Sequence, residues 1–186
     1  VALVYFDIVS ERETVLTETL SADVLAAFFA EQCACFVGWA ERETAHRAAR
    51  DAALRALAFP HGQFRSGQRE LAVSVYRAAR DERCLMAQAP TGIGKTLGTV
   101  FPLLKACGEG ELDHVFFLTA KTPGRALALE AATTLGAGTP ALPLRVLELV
   151  ARDKACEHPD RACHGESCPL AQGFYDRLPA ARDAAI

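Results

Sequence analysis

"APTGIGKT" (Ala89–Thr96) is the stretch on which the reading of this chain turns. It follows the apolar run "CLMAQ" (Cys84–Gln88) and opens the helical pattern "KTLGTVFPLLKAC" (Lys95–Cys107). A glycine loop between a strand and a helix start lets backbone N–H groups turn inward around phosphate oxygens, and the helix N-terminus adds positive potential. The spacing fits the phosphate-loop pattern, with Ala89 where many such loops have their first glycine. Gly92 and Gly94 let the backbone turn, Lys95 would reach the β and γ phosphates, and the Thr96 hydroxyl would bind Mg²⁺. Ala89, Pro90, Thr91, Gly92, Ile93, Gly94, Lys95 and Thr96 are therefore the candidate ATP-binding residues, with Lys95 and Thr96 as the catalytic candidates.

Upstream, Gln68 lies in "FRSGQREL". A glutamine ahead of such a loop can pair bidentately with the N6/N7 edge of adenine, and Arg65 could stack on or flank the base. Downstream, "HVFFLTA" (residues 114–120) reads as a strand and "GRALALEAATTL" as a helix, and "LRVLELV" (residues 144–150) as a further strand. The alternation strand–loop–helix–strand–helix predicts an α/β fold with a parallel sheet. Thr119, Lys121, Thr122 and Arg125 then fall at the C-terminal edge of that sheet, where ligands bind in open parallel sheets. Hydroxyls and cations there suit a phosphodiester backbone.

The N-terminal third differs in pattern. "VALVYFDIVSERETVLTE" reads as two short strands around the polar turn Ser10–Arg12. Ser21 is an N-cap candidate for a long helix, with Asp23 in its first turn, and Pro60 and Gly62 end the pattern. Cys33 and Cys35 lie two residues apart in that helix and point to different faces, so they read as core or half-buried thiols.

Composition bounds the rest. The chain is 51% hydrophobic, enough to build a core, and no apolar run is read as long enough to span a membrane. The net charge of −3 gives no global sign of nucleic acid, so such binding would need a local basic patch. Seven cysteines without a secretory leader point to a reducing, bacterial-like cytosol, where clustered thiols more often bind metal than pair. The chain begins with Val1 and reads as a piece of something longer.

"RDKACEHPDRACHGESCPLAQGFYD" (Arg152–Asp176) carries the metal question. Cys156, Cys163 and Cys168 are spaced x6 and x4, with none of the CxxC pairs of common zinc knuckles. A Zn²⁺ site and an iron–sulfur cluster both remain open, and either usually takes four protein ligands. For the fourth ligand, His164, directly after Cys163, is better placed than His158, Cys107 is a further candidate, and a ligand outside these residues or an iron open to solvent is the remaining alternative.

The order "FRSGQREL", "APTGIGKT", "FFLTAKT", then the cysteine segment, resembles the XPD/DinG-like iron–sulfur DNA helicases of superfamily 2, which move 5′ to 3′. The resemblance covers about residues 64–182. It implies that Gln68 is the adenine-recognition residue, that Lys95 and Thr96 belong to motif I, and that Thr119, Lys121 and Thr122 belong to a motif touching single-stranded DNA. It implies a 4Fe–4S cluster on Cys156, Cys163 and Cys168, with zinc as the alternative. The expected architecture is a RecA-like P-loop parallel sheet, part of helicase domain 1, over residues 59–150. A hairpin and long helix (1–58) would precede it as a connector or the end of an upstream domain, and a truncated cluster insert (151–186) would follow. No DEAH-type tetrad occurs in these residues, so the expected protein is the N-terminal part of a helicase, inactive by itself. Its expected partners are ATP, Mg²⁺, single-stranded or forked DNA and the remaining helicase domains, with no membrane. The alternatives are a non-catalytic nucleotide-dependent DNA-binding module and a P-loop ATPase with a zinc knuckle.

Overall fold

The computed structural model describes residues 1–110, 112–120, 122–137 and 142–185. The chain divides into two compact units, Val1–Ala48 and Ala49–Ile186.

In the first unit, β1 (Ala2–Asp7) pairs antiparallel with β2 (Arg12–Thr17), from Ala2 opposite Thr17 to Asp7 opposite Arg12. Asp7 closes the turn. Its carboxylate accepts the Ser10 hydroxyl at 2.7 Å and the N–H groups of Val9 and Ser10 at 2.8 and 3.2 Å. These hydrogen bonds, led by that of the Ser10 hydroxyl, hold the Asp7 carboxyl below its ordinary range. Helix α1 (Ala22–Ala56) starts as its cap predicts, with the Val24 N–H donating to Ser21 Oγ at 3.3 Å. Hydrophobic side chains along the early part of α1, including Phe28, Phe29 and Phe36, are exposed. Cys33 and Cys35 are exposed too, counter to the expected core or half-buried thiols, because no element of this unit covers that stretch. By length and composition α1 could cross a membrane, with an 18-residue window of mean hydropathy 1.3, although the sequence reading found no such run.

The second unit begins with the last turns of α1 and adds α2 (Gln68–Arg80), α3 (Lys95–Cys107), α4 (Thr122–Ala137), the single turn α5 (Arg152–Ala155) and α6 (Phe174–Ala185). Its core joins Leu54 from the end of α1 and Leu57 just past it, Val100 and Cys107 from α3, and Leu135 from α4. Phe59 stacks on Phe64 at 3.9 Å and meets Phe101 edge-on at 5.4 Å, which pins the connection between α1 and α2 against α3. Gly108, just past α3, has no side chain because α1 is too close: a Cβ there would stand 2.8 Å from the Leu54 Cβ and the Arg55 nitrogen. Arg55 donates to the Gly108 carbonyl at 2.8 Å, and Lys105 returns a bond to the Arg55 carbonyl. Arg50 meets Asp51 at 2.7 Å and Asp113 at 3.2 Å. Partial burial works against its charge, but the two carboxylates outweigh that and raise its pKa.

The predicted parallel sheet is not formed. Among the described residues the only sheet is the β1–β2 hairpin, and "CLMAQ", "HVFFLTA" and "LRVLELV" lie in no ladder. The second unit is therefore mainly helical among the described residues, and the first holds the two-stranded hairpin; neither forms a RecA-like α/β layer. An apolar run shows that a segment could pair, but a strand exists only when another run supplies the complementary N–H and C=O groups. Without that partner many of their side chains stay outside, Met86 100% and Leu118 88% exposed, while Val115 and Leu144 pack partly against the core.

Leu54 is 1% exposed at the centre of this core, so Leu54→Ala should cost about 2–5 kcal/mol by denaturant unfolding. Burial also pushes the Cys107 thiol up. Cys107 should resist alkylation until the chain unfolds, while exposed Cys33, Cys35 and Cys84 react at once; mass mapping of labelled peptides checks this.

Candidate functional site

The glycine loop enters α3 through two left-handed residues, Gly92 (φ 87°) and Gly94 (φ 81°). Gly94 stands as the N-cap of α3 with no side-chain cap, so the first N–H groups of the helix have no capping side chain. A Cβ on Gly94 would be doubly disfavoured, by its φ and by collision with the Gln68 amide nitrogen.

Gln68 lies beneath the loop, 3% exposed. Its Nε2 donates to the Gly94 carbonyl at 3.1 Å and its Oε1 accepts the Arg65 N–H at 3.1 Å. The Arg65 guanidinium donates to the Gly92 carbonyl at 2.6 Å. Because a trans peptide sets its C=O and the next N–H on opposite sides, these two bonds turn the N–H groups of Ile93 and Lys95 away from Gln68 and Arg65. That is the polarity an anion-binding loop requires. Ile93, 8% exposed, is the loop's apolar anchor.

Lys95 is exposed, and its Nζ donates to the carbonyls of Ala89 and Pro90 at 3.0 and 2.9 Å. It folds back inside its own loop, where its charge can be passed to an incoming anion. Thr96 sits one residue on, in the first turn of α3, and its carbonyl accepts the Thr99 hydroxyl at 2.9 Å. Beside the loop, a groove of about 390 Å³ runs between α2 and residues 85–90 and shares Ala89, Pro90 and Ile93 with it.

Thr119 packs against Gly124 near the start of α4, where an added Cβ would collide with the Thr119 hydroxyl. Thr122 is the first residue of α4, and Lys121 lies outside the described residues. Arg125 pairs with Glu148. The C-terminal sheet edge on which these residues were expected is not present, because the sheet itself is not.

Cys156, Cys163 and Cys168 line one cavity of about 290 Å³, together with His158, Arg152 and Arg161. His164 is not on its wall: its Nε2 lies 3.0 Å from the Ser167 hydroxyl. Cys107 belongs to the helical core instead. Cys168 is buried, Cys156 half-buried and Cys163 exposed. Among the described residues, no group of three or more His, Cys, Asp or Glu side chains converges closely enough to hold a metal ion. Arg177 was not singled out as a fastener by the sequence, yet its guanidinium donates to the carbonyls of Pro169, Leu170 and Gln172, at 3.3, 3.1 and 2.6 Å. It clasps the turn that follows Cys168. Only its position in the first turn of α6 hinted at this, and α6 itself was not predicted.

No family model and no solved structure matches the chain. A stretch of 46 residues, 25% of the chain, is 39% identical to a probable ATP-dependent helicase of Methanocaldococcus jannaschii. The match spans 7% of that protein's length. Over this stretch the chain is similar to a helicase.

Proposed function

We propose that this chain is the nucleotide-binding N-terminal part of an ATP-dependent DNA helicase of the XPD/DinG-like iron–sulfur kind. One observation carries the reading: the glycine loop at the start of α3 is fastened from below by Gln68 and Arg65, and its lysine is held on the loop's own carbonyls. The similarity to a probable helicase supports it.

In this reading the N–H groups at the loop and at the head of α3 receive the β-phosphate, and Lys95 exchanges its carbonyl partners for phosphate oxygens. Thr96 holds Mg²⁺ through its hydroxyl. The adenine lies along the groove beside α2, within reach of the Gln68 region. These residues contain no DEAH-type tetrad, so water activation falls to carboxylates outside them. Single-stranded DNA is held through phosphate contacts around Thr119, Lys121 and Thr122 and the basic residues of the cysteine segment.

The cysteine cavity fits the family's cluster in donor type. Three thiols line the cavity of about 290 Å³, although among the described residues they do not converge closely enough to hold a metal ion as they stand. Cys156, Cys163 and Cys168 would hold it, and Arg177 fixes the turn that carries Cys168. When bound, such a cluster ties loop-rich chain together by thiolate–iron bonds.

Lys95→Ala in the intact protein should lower DNA-stimulated ATP hydrolysis by at least about 100-fold with an unchanged melting temperature. Undiminished hydrolysis would remove the loop from the mechanism. Gln68→Ala takes away the strut beneath Gly94, so it should weaken ATP, ADP and GTP alike. Equilibrium titration of the three nucleotides reads this directly, and a loss confined to adenine nucleotides would return Gln68 to a pure base-reading role. Affinity for single-stranded DNA should fall steeply between low and moderate salt; a flat salt response would exclude the phosphate contacts.

A further inference from the structure

We infer that Gln88, with Glu70 on the opposite wall of its groove, reads the base of the bound nucleotide and selects adenine, an inference that rests on the nucleotide-binding reading above. The free hydrogen-bonding side chains beside the phosphate loop lie along that groove, and Gln68 is not one of them.

Both ends of the Gln68 amide are engaged. Its Nε2 donates to the Gly94 carbonyl, its Oε1 accepts the Arg65 N–H, and the side chain is 3% exposed. Turning this amide towards a base would strip the Gly94 carbonyl of its partner and break the strut under the loop. Arg65 is likewise spent on the Gly92 carbonyl. The groove of about 390 Å³ between α2 and residues 85–90 has groups to spare. Gln88, directly before the loop, lines one wall, and Glu70 of α2 lines the other. Both are exposed, and among the described residues neither side chain makes a hydrogen bond or ion pair. Ser74 lines the groove too, but its hydroxyl already donates to the Glu70 carbonyl at 2.8 Å. Leu71, Leu85 and Met86 add apolar surface on which the flat face of a base can lie.

The two side chains together suit one kind of base edge. A glutamine amide carries a donor and an acceptor side by side, which match N7 and one N6 hydrogen of adenine. The second N6 hydrogen is then left for a carboxylate, which only accepts. Guanine presents O6 and N7 on the same edge, both acceptors, so the amide cannot pair with both. Its O6 would also meet the Glu70 carboxylate acceptor to acceptor. Gln88 therefore supplies the attraction to adenine and Glu70 the penalty against guanine, the two halves from which specificity is built.

The test uses the full-length protein with Mg²⁺ and equilibrium titration of ADP, GDP and 7-deaza-ADP, in which a carbon replaces N7. The wild type should bind ADP at least about fivefold more tightly than either of the others, the low end of what one bidentate pair discriminates. Gln88→Ala should weaken ADP by at least about fivefold and GDP much less, with an unchanged melting temperature. Glu70→Gln, whose amide can donate to O6, should raise the affinity for GDP and narrow the preference. Equal losses of ADP and GDP in Gln88→Ala, or a loss confined to ADP in Gln68→Ala, would overturn the assignment. A wild type that binds ADP and GDP equally would overturn the assignment alone. One that binds none of the three would overturn the phosphate-loop reading and the assignment with it.

Discussion

The bond from the Gln68 amide to the Gly94 carbonyl, 3.1 Å long and made by a side chain only 3% exposed, is the constraint on which the candidate nucleotide site depends. It joins the first residue of α2 to the residue that caps α3. Gly94 can take its left-handed conformation there only because it lacks a Cβ, and that same lack leaves room for the amide. Helix α3 then carries the constraint away from the loop. It packs Val100 and Cys107 into the core with Leu54 of α1, and Gly108 lets the end of α3 approach the last turn of α1 closely. The loop is thus held at one end by a hydrogen-bonded strut and at the other by apolar packing.

Much of this was legible in local sequence. The helix at Lys95–Cys107 was bounded by a glycine before and a glycine after, and it forms over those residues. The cap at Ser21 followed from a side chain that satisfies a backbone group a few residues away, and the hairpin from two apolar runs around a polar turn, read at Ser10–Arg12 and formed over residues 8–11. Interactions of that range are written in consecutive residues.

What was not legible is what depends on distant partners. The runs at 84–88, 114–120 and 144–150 have strand composition, yet strand pairing needs a second chain segment, and composition does not supply one. Gln68 was recognisable as a residue near a nucleotide loop, but its position under the loop rests on contacts across 26 positions. His164 looked the better placed in sequence, yet the turns around the two set His158 on the cavity wall and His164 against Ser167. Helix α6 was hidden by Gly173 just before it and Pro179 inside it, both of which read as helix breakers.

The central claim is that the fastened loop at the head of α3 binds the phosphates of a nucleotide. The most direct measurement is calorimetric titration of the full-length protein with ATP, ADP and AMP in the presence of Mg²⁺. The account predicts binding of ATP and ADP, with AMP weaker by at least about 100-fold because it lacks the β-phosphate that the loop's N–H groups and Lys95 receive. Equal affinity for all three would contradict it, since the binding energy would then come from the base and ribose and not from the loop.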